Sequence, residues 1–527
     1  MIEQGGSFFA TIFKRGKSAA TPQDEPNPID LEEGSEEYIK SFRLPAEVKA
    51  GLNENELKML DLFRECAPGI SELYLIQRGN SEMPNFYPPR ITKRQILKAA
   101  ANNPEITAPD TIVRRNQDGT LEPISMYLAY AGPIRRTGII LKLKEAAGIA
   151  VRDGKTQLAT YLGVKATSFE NGNSELAHQA WMEIKEEPPV DVAIGLYDTN
   201  TDPYGIKESW ELFVTVLDKR LTAESQPFAD AYTDWVAKDT GIETPKVKMR
   251  IAYPIVIAGQ AYGEGWTANN LGRPDWRNKY GSKFIFLETV FETDFRQKSL
   301  RAFRDYIDPN RVVGIQDSLV KRARRRLLIG HEISHSVDIP SDLNARLNEY
   351  ASLLKELYCD LLALDGYSHI VDPVLFEPRE QEMALASFLS EGVLEYRTYK
   401  SPAQKRKDYY FSNSVILTRL IAKNAVQIDP KTNRITWSNP RLAYAQISEL
   451  RREVQHLIHH GSFKNAEDFI ATNLDQEVYR PVALKGSSNF AFLLPRKVPE
   501  PENISEQITI ISPSDDQIDS STPVSKE

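Results

Sequence analysis

Three observations predict an α+β protein built as two lobes. The pattern changes along the chain, from a mixture of helices and strands over residues 46–315 to an almost wholly helical stretch over 316–480. The length of 527 residues exceeds what one hydrophobic core usually fills, so the body is expected to divide. The body also shows no internal repeat, which excludes solenoids and propellers.

Residues 1–45 are rich in Pro, Ser, Asp and Glu and are expected to lack fixed structure, as is the tail 499–527, "PEPENISEQITIISPSDDQIDSSTPVSKE". The stretch "LNENELKMLDLFRECAPGISELYLIQ" sets apolar residues at helical spacing behind an Asn cap. In "TIVRRNQDGTLEPI" the Asp-Gly pair between two extended runs predicts a hairpin. Helical periodicity returns in "SELAHQAWMEI" and is read throughout "GIKESWELFVTVLDKRLTAESQPFADAYTDWVAK". The β-branched and aromatic runs "KVKMRIAYPIVIAG" and "SKFIFLETVFE" predict strands. From about Ser318 to Ala471 the pattern is nearly all helical and includes the amphipathic "NPRLAYAQISELRREVQHLIHHG".

Composition narrows the function classes. A hydrophobic share of 41%, a charged share of 26% and a net charge of −8 are those of a soluble globular protein and argue against general binding to nucleic acid or membrane surfaces. No apolar run approaches the roughly 18 residues of a membrane-spanning helix. Cys66 and Cys359 are far apart in apolar helical patterns, so a disulfide framework is not expected and a reducing, cytoplasmic setting is. The short apolar patch near the N-terminus follows Glu3 and precedes Lys14, Arg15 and Lys17, the reverse of a signal peptide. The basic run "KRARRR", Lys321 to Arg326, reads as a solvated helix face.

The chemistry is expected in "LLIGHEISHSVDIP", Leu327 to Pro340. His331, Glu332 and His335 form H-E-x-x-H on a helix, where histidines four apart share a face and can grip one ion while the glutamate projects toward its open position. That is the arrangement of gluzincin-type zinc peptidases. The next expected helix, "SDLNARLNEYASLLKELYCDLLALDGY", carries Glu356 and Asp360 four apart among leucines. Two acids on a largely apolar face need partners, and a zinc ion for Glu356 with a ligand imidazole N–H for Asp360 would satisfy both. The plain alternative is a pair of ordinary helix histidines and a solvated acidic stripe. His178, His369, His456, His459 and His460 are assigned no catalytic role.

With these residues in view the sequence resembles the dipeptidyl peptidase III family of zinc metallopeptidases over roughly residues 50–490. The stretches that carry the resemblance include "APDTIVRRNQDGTLEPISMYLAY", "AWMEI", "DVAIGLYDTNTDPYGIKESWELFVTVLDK", "NKYGSKFIFLETV" and "KELYCDLLAL". The usual family box has one more residue between its histidines, and the five-residue HEISH resembles that of some bacterial members. The resemblance implies a wide cleft between an upper helical lobe that holds one Zn2+ per chain and a lower lobe with a β-barrel-like core, to which residues 481–498 would return. It implies that His331, His335 and Glu356 bind the zinc, that Asp360 supports a ligand, and that Glu332 is the general base. The acid that usually precedes the ligand glutamate is Lys355 here.

On the substrate side the resemblance implies that Asp198, where the family has a glutamate, receives the free amino terminus of an oligopeptide. Asn200 stands where the family has a tyrosine that steadies the tetrahedral intermediate. Asn269 or its neighbour Asn270 matches an asparagine that binds the peptide backbone, and Tyr409 replaces a histidine that lines the cleft. The expected activity is release of short peptides from the amino terminus. The alternatives are a metal-binding, peptide-binding protein of the same fold without catalysis, or a hydrolase of a non-peptide amide; the retained Glu332 favours an enzyme.

Overall fold

The computed structural model describes residues 38–473 apart from 80–84, 242–246, 265–266, 338, 341, 349, 371–375, 399–406, 430 and 433. The expected return segment 481–498 and C-terminal tail 499–527 lie outside the described residues, as do residues 1–37 of the N-terminal segment. The strands are β1 (Ile39–Ser41), β2 (Thr111–Arg115), β3 (Leu121–Ser125), β4 (Val190–Leu196), β5 (Trp210–Leu217), β6 (Val247–Gly259), β7 (Ala268–Leu271), β8 (Ser282–Leu287) and the short pair β9 (Gln427–Ile428) and β10 (Ile435–Thr436).

Six strands form one sheet in the order β4-β5-β6-β8-β7, and β1 adds to the far part of β6. All pairings are antiparallel except β6 with β8. The outer strands β4 and β7 each have one neighbour, so the described strands make an open sheet in place of the expected β-barrel-like core. The expectation of an unstructured segment over 1–45 does not hold for Ile39–Ser41, which pairs with Val256–Ala258.

Strand β5 corrects a helical expectation. "WELFVTVL" is buried at every position but the last, which removes the alternation of a half-exposed strand, and a continuous apolar run cannot be told from a buried helix by periodicity. The helix begins only after Asp218, whose side chain accepts from Leu221 N at 2.8 Å. "SKFIFLETVFE" likewise splits, with a strand to Leu287 and a helix over Glu288–Asp294. The predicted hairpin is present as β2–β3, with Gly119 at φ 85° in its turn.

The helices used below are α1 (Glu54–Arg64), α2 (Ala67–Arg78), α3 (Lys219–Thr240), α4 (Asp317–Ser334), α5 (Tyr350–His369), α6 (Glu380–Thr398), α7 (Lys407–Ala422) and α8 (Pro440–His460). The Asn53 cap is reciprocal: Asn53 Oδ1 accepts from Glu56 N, and Glu56 Oε2 accepts from Asn53 N, both at 2.8 Å. One expected helix becomes α1 and α2, since Pro68 lies in the first turn of α2. The helix expected from Ser341 also breaks, at Asn348 with φ 51°, so α5 starts at Tyr350.

Two hydrophobic clusters meet at the sheet, in agreement with a two-lobed α+β fold. On β8, Phe284 and Phe286 belong to the cluster built from α3 to α8, while the alternate residues Ile285 and Leu287 belong to the cluster around α1, α2 and β4. No helix among the described residues is long and apolar enough to cross a membrane.

The basic run on α4 is not the solvated face expected. Arg325 and Arg326 are only 5% and 6% exposed, because the helix is packed on several sides and its cations meet acids from neighbouring elements. Arg325 Nη2 donates to Glu288 Oε1 at 2.5 Å, Arg326 Nη1 to Glu380 Oε1 at 2.7 Å, and Lys321 Nζ to Glu292 Oε2 at 2.8 Å. Arg324 pairs with Glu391 on α6. These pairs fix the helix that carries H-E-x-x-H.

Candidate active site

Helix α4 presents His331 and Glu332 in its last turn, with His335 as its C-terminal cap, and α5 faces it with Glu356, Cys359 and Asp360. Gly330 permits the approach: a Cβ there would lie 3.2 Å from the ring of Tyr232 on α3 and 3.4 Å from Ala363 on α5. The two imidazoles bring Nε2 atoms to 3.2 Å from each other, and Glu356 Oε2 lies 3.4 Å from His331 Nε2 and 3.7 Å from His335 Nε2. Among the described residues these three form the group of candidate ligands, with all ligand atoms within 4.8 Å of one another.

The surroundings suit a cation. His331 Nδ1 donates to Asp360 Oδ1 at 2.7 Å, which leaves Nε2 turned to the centre, and Asp360 Oδ2 accepts from Ser412 Oγ on α7 at 2.6 Å. Glu356 Oε2 is buried without a hydrogen-bond partner. Burial opposes the charge of Glu356, but His335 and His331 outweigh it and hold its pKa at about 2. Burial also opposes a charged His331, and Asp360 and Glu356 overcome that to raise its pKa well above the ordinary value. His335 is pushed down to about 3, by burial first. A divalent cation fits the same donors and supplies the partner that Oε2 lacks. Glu332 is pushed up to about 8, by burial first and then by Glu356 and Asp198, with His331 opposing.

The edge strand β7 joins the sheet to this centre. Asn270 Nδ2 donates to the backbone oxygen of Glu332 at 3.1 Å and to Ser336 Oγ at 2.7 Å. Its neighbour Asn269 donates to Asp198 Oδ2 at 2.8 Å, and the Asp198 carbonyl accepts from Ser209 N and Gln260 Nε2, each at 3.1 Å. Arg277, 8% exposed, donates to Asn270 O at 3.1 Å, and its charge acts on both Asp198 and Glu332.

Asp198, Asn269 and Glu332 are therefore brought together. Asn200 is exposed and joins none of these contacts. Tyr409 lies on α7, three residues before Ser412, with its side chain outside the described residues. Among the other histidines, His178 Nε2 lies 3.1 Å from Gly281 O and His369 stacks on Trp235, both away from the ligand group. Sequence reading missed Cys359, Ser412, Ser336 and Arg277. Only Cys359 carried a signal, since it sits three residues after Glu356 on the same helical face.

The family model of peptidase family M49 matches residues 79–238, which include Asp198 and Asn200 but not the H-E-x-x-H box. Among solved structures, dipeptidyl peptidase III from Caldithrix abyssi is similar with a TM-score of 0.68 at 20% identity, over 83% of this chain and 93% of that one. Dipeptidyl-peptidase III from Corallococcus sp. strain EGB is similar with a TM-score of 0.70 at 17% identity, over 84% and 94%. Likeness at these identities shows the fold. No curated protein matches the sequence. The match to the family model over residues 79–238, joined to the shared fold, supports a metallopeptidase of the dipeptidyl peptidase III type.

Proposed function

We propose that the protein is a zinc-dependent exopeptidase that removes short peptides from the amino terminus of oligopeptides. The observation that carries the proposal is the convergence of His331, His335 and Glu356, with a buried carboxylate oxygen that no hydrogen bond satisfies. A zinc ion held by these residues would supply Lewis-acid polarisation of the scissile carbonyl and a more acidic attacking water.

The chain's own groups do the rest. Glu332 accepts a proton as the water oxygen attacks the carbonyl carbon, and it returns that proton to the amide nitrogen as the C–N bond breaks. Its raised proton affinity suits this double duty. Asp198, oriented by Asn269, pairs with the substrate's ammonium group and sets the cut at a fixed distance from the amino terminus. Asn270 and Ser336 hold the backbone at Glu332, so the peptide anchor and the base are positioned by adjacent residues of β7. Asn200 replaces a phenol with a shorter donor. Two free, buried cysteines agree with the proposed cytoplasmic setting.

Elemental analysis tests the metal. The expected result is close to one zinc per chain, lowered more by Glu356→Ala than by Asp360→Ala. A folded protein that takes up no zinc when it is supplied would end the proposal.

A further inference from the structure

The two histidines of the box have unequal partners. His331 Nδ1 meets the Asp360 carboxylate at 2.7 Å, and Ser412 holds that carboxylate from behind. His335 Nδ1 instead lies 3.4 Å from Cys359 Sγ, and no ion pair reaches that nitrogen among the described residues. Lys355, a cation, occupies the position just before Glu356 where an acid would serve. Glu356, Cys359 and Asp360 stand at i, i+3 and i+4, so one face of α5 delivers a ligand together with a partner for each imidazole.

We infer that Cys359 is the positioning residue of His335: its sulfur accepts from the Nδ1–H, fixes the tautomer and keeps Nε2 turned toward the metal. The inference rests on the metal reading given above. Cys359 is fully buried, and its sulfur is not among the converging ligand atoms, so it acts through the imidazole. Sulfur is a weak acceptor, which leaves His335 the more loosely oriented of the two histidine ligands. The other cysteine, Cys66, has a different role: its Sγ contacts Leu62 O at 3.4 Å where α1 meets α2.

The test measures zinc release to a chelator from the zinc-loaded full chain. Loss of an outer partner of a metal-bound histidine costs ten- to a hundredfold in metal affinity, and a weak sulfur acceptor belongs at the lower end. Cys359→Ala and the nearly isosteric Cys359→Val should therefore each lose zinc about tenfold more readily, while Cys359→Ser, which keeps an acceptor, stays nearer the wild type and Cys66→Ala does not differ from it. Thermal melts of the metal-free proteins separate this from a folding defect, because Cys359→Val keeps the core filled. Unchanged zinc release from Cys359→Val overturns the inference. So does a sulfur-to-metal charge-transfer band in the cobalt-substituted wild type that Cys359→Val abolishes, since Cys359 would then be a ligand. A wild type that binds neither metal refutes the metal reading itself and is told apart by the absence of any loaded protein.

Discussion

Replacement of Glu380 by alanine tests how the helix that carries H-E-x-x-H is held. The Glu380 carboxylate is fully buried and accepts from Arg326 Nη1 at 2.7 Å, Arg322 Nε at 3.1 Å, Tyr367 OH at 3.0 Å and Glu377 N at 3.2 Å. Arg322 retains Glu377 and some solvent, so its share is small, about 1 kcal/mol or less. Arg326 is more deeply buried, only 6% exposed. Its guanidinium lies 5.5 Å from the Phe228 ring centre and 5.2 Å from that of Phe376, and Glu380→Ala removes the carboxylate that pairs with it there. Breaking one side of such a buried pair costs about 3–5 kcal/mol, and Glu380→Ala should lower the unfolding free energy of the helical cluster by that amount. Urea titration followed by circular dichroism and tryptophan fluorescence measures it. The double change Glu380→Leu with Arg326→Met should recover most of the loss, because the buried guanidinium is removed together with its carboxylate. A loss below about 1 kcal/mol for Glu380→Ala would show that Arg326 reaches water and that the basic face is solvated after all.

Lys165 gives a pH-dependent prediction. Burial lowers its pKa from the ordinary 10.5 to about 7, with Arg273 adding to the effect and Glu208 opposing it. Between those values the unfolded chain binds a proton that the folded chain does not, so stability rises with pH, and the penalty is full below pH 7. Lys165→Met should therefore be more stable than the wild type at pH 7, with the difference shrinking toward pH 10.5; a constant difference in pH-dependent melts would show that the amine does not titrate in this range. On the catalytic side, Asn200→Tyr should raise kcat on free peptides about tenfold or more by adding a donor for the oxyanion, and unchanged turnover would show that this position does not face the reacting carbonyl.

Much of the candidate metal centre could be read from spacing alone, because helical geometry turns positions 331 and 335 toward one point and 356 and 360 to one face. The partner of His335 was harder to see. Thiols are poor hydrogen-bonding groups and usually fill apolar space, so Cys359 between Tyr358 and Asp360 reads as core. Arg277 and Ser412 reach the centre through tertiary packing and have no local pattern. The misread elements have a common cause in burial on more than one side. Strand β5 loses its alternation when both faces are covered, and Arg325 and Arg326 appear solvated until acids from other elements are placed beside them. Turn and cap chemistry is local, which is why the Asn53 cap and the Asp118-Gly119 hairpin were legible.

The central claim is that Glu332 and a metal cleave peptides from a free amino terminus anchored by Asp198. Mass spectrometry of the products from one oligopeptide, presented free and acetylated at its amino terminus, tests it most directly when the wild type is compared with Glu332→Ala. The account predicts dipeptides released in succession from the free peptide and no cleavage of the acetylated one, whose lost ammonium charge removes a contact worth roughly 1.5–3 kcal/mol and leaves Asp198 against an amide. It predicts at least about a hundredfold slower cleavage by zinc-loaded Glu332→Ala. Equal cleavage of the free and acetylated peptides, or turnover that survives in Glu332→Ala, would contradict it.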